Sequence, residues 1–207
     1  MKKYIQTIAL VQEILLGIGI LTLITLPLGV LFKPDIVGAS ATSLYLAVHI
    51  TLLFVMLIRP LADIFSGVKF LRPLVILRKG FGVVSASIVV SFILAKFITD
   101  PIGYVSAYGT TSYWSLVNGV LFAHLADITA IILLITSNKL SKRLMGVWWK
   151  RVQRLSYVYF YASMCFVYIA YDEMIAPYAI LAVTLFTTIA FIVNSMKLPT
   201  QSATTTV

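Results

Sequence analysis

Six ionisable side chains interrupt the long apolar stretches of this chain: Glu13, His49, Arg59, Asp63, His124 and Asp127. Hydrocarbon makes such groups expensive, so each must face a bundle interior, a cavity or the interface, and each is a candidate functional residue. His124 and Asp127 are three residues apart and therefore share one side of a helix. Imidazole is a common ligand for haem iron and other metals, and a nearby carboxylate can orient it. The same pair could serve a transporter as a midplane proton or substrate site, or simply hydrogen-bond within a bundle. By helical rise, His49 is about 9 Å from the outer start of its predicted span and His124 about 15 Å from its own. A haem b ligated by both would have to absorb the difference. Arg59 and Asp63 read as an interfacial ion pair that ends the second span at Pro60. Glu13 reads as a partner for a basic loop residue or as a proton carrier.

Other chemistries are poorly represented. The single cysteine, Cys165, excludes an internal disulfide framework and a cysteine-ligated zinc or iron–sulfur site. Beside Met164 it reads as packing. No activated serine or cysteine lies near either histidine, so no catalytic constellation is recognisable. Nor is there a G-x-G-x-x-G or G-x-x-x-x-G-K motif.

The elements that must position these residues are helices in a membrane. Of 207 residues, 60% are hydrophobic and 11% charged, and the mean hydropathy is +1.01. These values exclude a soluble enzyme, a disordered tail or a nucleic-acid module. The pattern predicts an all-α, six-transmembrane-helix bundle with spans near 8–32, 43–65, 80–98, 114–137, 155–171 and 177–195. The first span is expected to be an uncleaved anchor, because its apolar core is too long for a signal peptide. Residues 1–197 form one domain, and residues 198–207 are polar and expected to be disordered.

Charge tests this map. The N-terminus, loop 66–79, loop 138–154 and Lys197 hold thirteen of the sixteen basic residues, while Asp35, Asp100, Asp172 and Glu173 fall on the other side. The positive-inside rule then makes both termini cytoplasmic, in a multi-pass protein of an inner or plasma membrane. The formal net charge of +9 is mostly topology, with some attraction to anionic lipid headgroups and none required to nucleic acid. Lys96 is expected to snorkel from the end of span three. Trp148 and Trp149 read as an interfacial belt. Tyr157, Tyr159, Tyr161, Tyr168 and Tyr171 crowd span five and could line a cofactor or quinone pocket.

Several motifs resemble, in order and spacing, the ferric-reductase-like transmembrane domain, in particular the haem-binding membrane subunit of the methionine sulfoxide reductase system. They are Arg59-Pro60-Leu61, Arg78-Lys79-Gly80-Phe81-Gly82, Asp100, Thr136-Ser137, Arg143-Leu144-Met145-Gly146, Trp149, Arg154-Leu155 and Tyr157. The resemblance covers residues 43–170. It implies six spans, cytoplasmic termini, and b-type haem held by histidines on spans three and five for electron transfer across the membrane. The positions where those histidines would fall carry Phe92, Gln153 and Phe166 instead. Glutamine is a poor iron ligand and phenylalanine is none, so the family's usual haem site is not expected here.

Three readings follow. The chain is a haem-free relative acting as a subunit or small-ligand module, with a membrane or extracytoplasmic protein as partner; or a haem b electron-transfer protein with ligands His49 and His124; or a small transporter or channel using His124 and Asp127. No paired, Gly/Pro-broken helices in matching halves accompany the last reading.

Overall fold

The computed structural model describes residues 2–33, 36–116 and 119–196, with only the backbone of Lys2 and of residues 36–42. Asp35, Lys197 and the tail 198–207 lie outside the described residues. Among the described residues there are helices and turns and no strand. Six long helices dominate: α1 (Lys2–Phe32), α2 (Ile36–Ile64), α3 (Leu77–Thr99), α4 (Val120–Thr136), α5 (Leu155–Tyr171) and α6 (Ile175–Met196). Short helical turns join them.

Four segments are long and apolar enough to cross a membrane, Lys3–Phe32, Ser43–Ile64, Leu71–Thr99 and Ile175–Met196. The chain is therefore a multi-pass helical membrane protein. A fifth is reached if α4 is taken with Lys139–Met145, from which it is bent by 92°. Six spans were expected; α5, at 17 residues, is shorter than these. The fourth span also begins later than its sequence suggests, at Val120 rather than residue 114. Thr111–Trp114 instead forms a 3₁₀ turn, and Gly119 caps the helix with a φ of +69°, a left-handed conformation that glycine adopts without penalty. At Pro60 the expected end is overrun, since α2 continues to Ile64. Proline removes one helical hydrogen bond, which a packed membrane helix can tolerate.

Pairwise contacts fix the directions of the helices. Gln12 meets Gly80, Gly19 meets Val83 and Ser87, and the Ser91 hydroxyl donates to the Thr22 carbonyl at 3.1 Å, so α1 and α3 run parallel. Phe54 lies on Phe81 and Val48 on Val84 and Ile88, which makes α2 antiparallel to α3. Gly119 meets Phe166 and Ile169 at one end, and Thr136 meets Trp149 and Gln153 at the other, so α4 and α5 are antiparallel. In cross-section α2, α3, α4 and α5 form a ring in that order, with α1 outside on α3 and α6 outside between α2 and α5. The starts of α1, α3 and α5 thus share one end of the bundle with loops 65–76 and 137–154. This is its basic end.

Close approach of α1 to α3 depends on glycine. A Cβ at Gly80 would lie 2.9 Å from the Leu15 Cβ and 2.9 Å from the Gln12 Oε1, and one at Gly19 would lie 3.0 Å from the Val83 Cγ1. Lipid tails are as apolar as leucine, so such helices associate through packing and polar contacts rather than hydrophobicity, and small residues let the backbones meet. Gln12 adds a buried tie, its Oε1 accepting from the Gly80 amide at 3.1 Å. Gly80→Val is expected to destabilise the protein by about 1–3 kcal/mol, read as a lower unfolding midpoint in detergent. Gly17→Ala, whose Cβ meets nothing within 4 Å, should leave the midpoint unchanged or raise it; equal losses in the two would show that the α1–α3 contact is not limiting.

Candidate functional site

The middle of the ring is closed by side chains of α3 and α5. Tyr159 is 2% exposed and its hydroxyl lies 3.0 Å from the Ser85 Oγ, itself fully buried. A buried phenol needs a hydrogen-bond partner, and this one links two helices that face each other across the ring. Phe160, Met164 and Val167 of α5 belong to the same core, with Leu52, Val55 and Met56 from α2.

This packing bears on the haem that the resemblance implies. Phe92 packs against Val48, Val84 and Ile88, while Phe166 makes an edge contact with Tyr171 at 5.8 Å. Gln153 donates from Nε2 to the Thr136 Oγ1 at 3.3 Å. None presents an iron donor, and Tyr159 and Phe160 occupy the interior between the helices. The residues present do not fit the family's porphyrin.

The two histidines do not converge. They sit on α2 and α4, which are opposite members of the ring. Both nitrogens of His49 have partners, Nδ1 at 2.7 Å from the Tyr45 carbonyl and Nε2 at 3.3 Å from the Ser163 Oγ. His124 is not mid-span, because α4 starts at Val120; it lies about 6 Å from that start, beneath the segment 108–114. Its ring stacks on Tyr113 at 3.7 Å, with Trp114 at 5.6 Å and Tyr108 at 6.2 Å. The Nε2 of His124 is buried without a hydrogen-bond partner among the described residues. The Tyr108 hydroxyl donates to that of Tyr104 at 3.0 Å. Burial, then hydrogen bonding to Tyr108, holds the Tyr104 and Tyr113 phenols above their ordinary range. Asp127 is one turn deeper, with Lys96 acting on it electrostatically but no ion pair within 4 Å among the described residues. Among groups of three or more His, Cys, Asp or Glu side chains in the described residues, none could hold a metal ion.

At the basic end, Arg59 and Asp63 do pair, Nε to Oδ2 at 3.9 Å, and Asn194 of α6 donates to the same carboxylate oxygen at 3.3 Å. Glu13 is exposed, whereas its neighbour Gln12 is the buried member. The Gln12–Gly80 bond sets Glu13 level with the first turn of α3. The two tryptophans differ. Trp148 is exposed, with the Arg151 guanidinium 4.4 Å from its ring. Trp149 donates from Nε1 to the Thr136 carbonyl at 2.9 Å, taking up one of the open carbonyls at the end of α4.

Beneath the closed centre, at that same end, is a cavity of about 590 Å³ between α2, α3, α4, α5 and the segment 147–153. Its wall includes Leu52, Val55, Gly82, Leu133, Tyr157 and Tyr159, and its cations are Arg59, Arg78, Lys79, Lys150 and Arg154, with no carboxylate among the lining residues. Leu52, Val55, Leu133 and Tyr159 are buried, whereas Arg59, Lys79, Lys150 and Arg154 are exposed, so the charge rings an apolar floor. Arg78 is half-buried, and its Nε is buried without a hydrogen-bond partner among the described residues. An apolar concavity with a few converging polar groups is what a small-molecule site requires. Apart from Arg59, read as the ion-pair partner of Asp63, the sequence reading takes these cations as topology alone. The signal available was that Arg78, Arg154 and Tyr157 all belong to the motifs that carry the family resemblance. Of the five tyrosines expected to line a pocket, Tyr157 and Tyr159 do; Tyr161 instead binds Thr184 of α6 at 2.9 Å, and Tyr168 and Tyr171 are exposed.

No protein family, curated protein or solved structure matches the chain.

Removing the phenol hydroxyl tests the closure of the ring. Tyr159→Phe is expected to lower stability by about 1–2 kcal/mol, because Ser85 is left buried without that partner. The loss should shrink markedly in Ser85→Ala/Tyr159→Phe, where both partners are gone; a double-mutant cycle of unfolding midpoints in detergent measures the difference, and strictly additive losses would mean the bond contributes nothing.

Proposed function

We propose that this chain is a haem-free, small-ligand-binding subunit of a membrane assembly, built on a scaffold resembling the ferric-reductase-like transmembrane domain. The observation that carries the reading is the cavity at the basic end, walled by four of the six long helices. Its place in a bilayer follows from two physical arguments. The bundle puts its basic loops at one end, which the positive-inside rule assigns to the cytoplasm together with both termini. And α4 and α5, at 17 residues each, have the shortest length that still spans the hydrocarbon core, which supports six spans. The cavity then opens towards the cytoplasmic face of an inner or plasma membrane.

Electron transfer through His49 and His124 draws no support from their placement, since the two rings are on opposite helices of the ring and His49 is already engaged at both nitrogens. A transport site at His124 and Asp127 would lie near the non-basic end, under the aromatic cap, rather than at the midplane. Partner proteins fit the same reading, because a ligand site without catalytic groups acts through what it is attached to.

Gly82→Leu tests the cavity directly. Gly82 lines it, and a Cβ there meets only the Val55 Cγ2, at 4.0 Å, so a larger side chain grows into open space. Native mass spectrometry of the detergent-purified protein is expected to show a small-molecule adduct that Gly82→Leu loses, while reduced-minus-oxidised spectra show no Soret band. An adduct indifferent to Gly82→Leu, or a haem spectrum, overturns the proposal.

A further inference from the structure

We infer that the cavity takes a phosphate-bearing amphiphile, the phosphate held by Arg78 and the cations of the rim, and the apolar body lying on Leu52, Val55 and Leu133. The inference rests on the ligand-module reading and adds the chemistry of the ligand.

The charge inventory selects an anion. Five cationic side chains line the cavity, and among the described residues only Arg59 has a carboxylate within 4 Å, that of Asp63. Ordinary topology accounts for basic loops, but it leaves the side chains in water, as with exposed Arg143. It does not account for a guanidinium nitrogen that is buried, as the Nε of Arg78 is. Burying the Nε of Arg78 without a hydrogen-bond partner among the described residues costs free energy. A ligand oxygen placed there supplies the missing acceptor.

The number and kind of donors select phosphate. A carboxylate offers two oxygens and one charge, whereas a phosphate monoester offers three oxygens and nearly two charges at neutral pH. The fork of an arginine matches that geometry with two parallel hydrogen bonds, and a lysine adds a point charge. Arg78 and Arg154 supply forks, and Lys79 and Lys150 supply point charges. The cavity, at about 590 Å³, is of a size that holds a drug-sized molecule and far exceeds an inorganic ion. Its buried wall is aliphatic and phenolic. A ligand that satisfies both regions has an anionic head and an apolar body, as does a lipid phosphate in the cytoplasmic leaflet or a soluble organic phosphate with an apolar group.

Fluorescence can read the site because Trp149 lines it. With Trp114→Phe and Trp148→Phe, Trp149 is the only one of the three tryptophans left. The full chain is placed in phosphatidylcholine nanodiscs that contain a minor fraction of tail-brominated phosphatidic acid or, at the same fraction, tail-brominated phosphatidylcholine. Stronger quenching by the phosphatidic acid is expected. Arg78→Gln should weaken its apparent affinity roughly tenfold, Gly82→Leu should remove the difference, and Arg143→Gln should leave it intact. Arg154→Gln, at an exposed position, gives an independent reading if Arg78→Gln does not fold. In lipid-free detergent, a Trp149 intensity change on adding glycerol 3-phosphate or inorganic phosphate, lost in Arg78→Gln, supports the same chemistry from a soluble source. Equal quenching by the two lipids without a soluble response, or an Arg143→Gln effect as large as that of Arg78→Gln, overturns the inference. If the mass-spectrometric adduct persists and is excluded by Gly82→Leu while phosphate has no effect, the ligand class is wrong and the module reading stands. Absence of both the adduct and any phosphate response sinks the two together.

Discussion

A phenol hydroxyl buried among four helices has to be given a hydrogen-bond partner, and the arrangement of this bundle is organised around meeting that requirement. Tyr159 reaches across the ring to Ser85, and the bond fixes how far apart α3 and α5 stand. Everything on either side of that level follows from it. The cavity lies on the basic side of that level. The side chains that seal the centre also supply the roof of the cavity, since Tyr159 belongs to both.

α3 is the helix on which most of the others depend. It touches α1, α2 and α4, and it buries six small residues, Gly80, Ser85, Ala86, Ser87, Ser91 and Ala95, beside the bulkier Leu77, Val83, Val84 and Ile88. Small side chains allow near contact on several sides at once, which suits a medium where burying leucine against leucine brings little advantage over lipid. Of the buried serine hydroxyls, that of Ser87 has no hydrogen-bond partner among the described residues, whereas two are satisfied, Ser85 by Tyr159 and Ser91 by the Ser87 carbonyl at 2.6 Å and the Thr22 carbonyl on α1. A polar group is thereby tolerated in the interior and used as an attachment.

Much of the helical framework was legible in the amino-acid order, because long apolar runs and their charged borders are local properties. The expected limits of spans three, five and six agree with α3, α5 and α6 to within about three residues. Misreadings arose where a boundary depended on conformation rather than polarity. Trp114, Ser115 and Leu116 are apolar enough to extend a span, yet Gly119 turns the chain before α4 can begin. The Asn118-Gly119 dipeptide, a turn signal, was the available hint. Glu13 was singled out for its charge, while the neighbouring Gln12 proved to be the residue that faces α3; which of two adjacent polar residues points inward is decided by where Gly80 lies, not by either side chain. The cavity was illegible for a stronger reason. Its cations come from four separate segments, and their convergence is a property of the packed bundle. The likeness to ferric-reductase-like domains directed attention to Phe92, Gln153 and Phe166, and of these Gln153 alone lines the cavity.

The position of α1 has a consequence for biosynthesis. It packs chiefly on α3, and only lightly on the helix that follows it. When the first hairpin leaves the translocon, Gly19 and Gln12 therefore have no partner. The amide of Gln12 must wait in contact with water or headgroups until residues 77–99 have been synthesised and inserted, so the first helix is laid down early and locked in late.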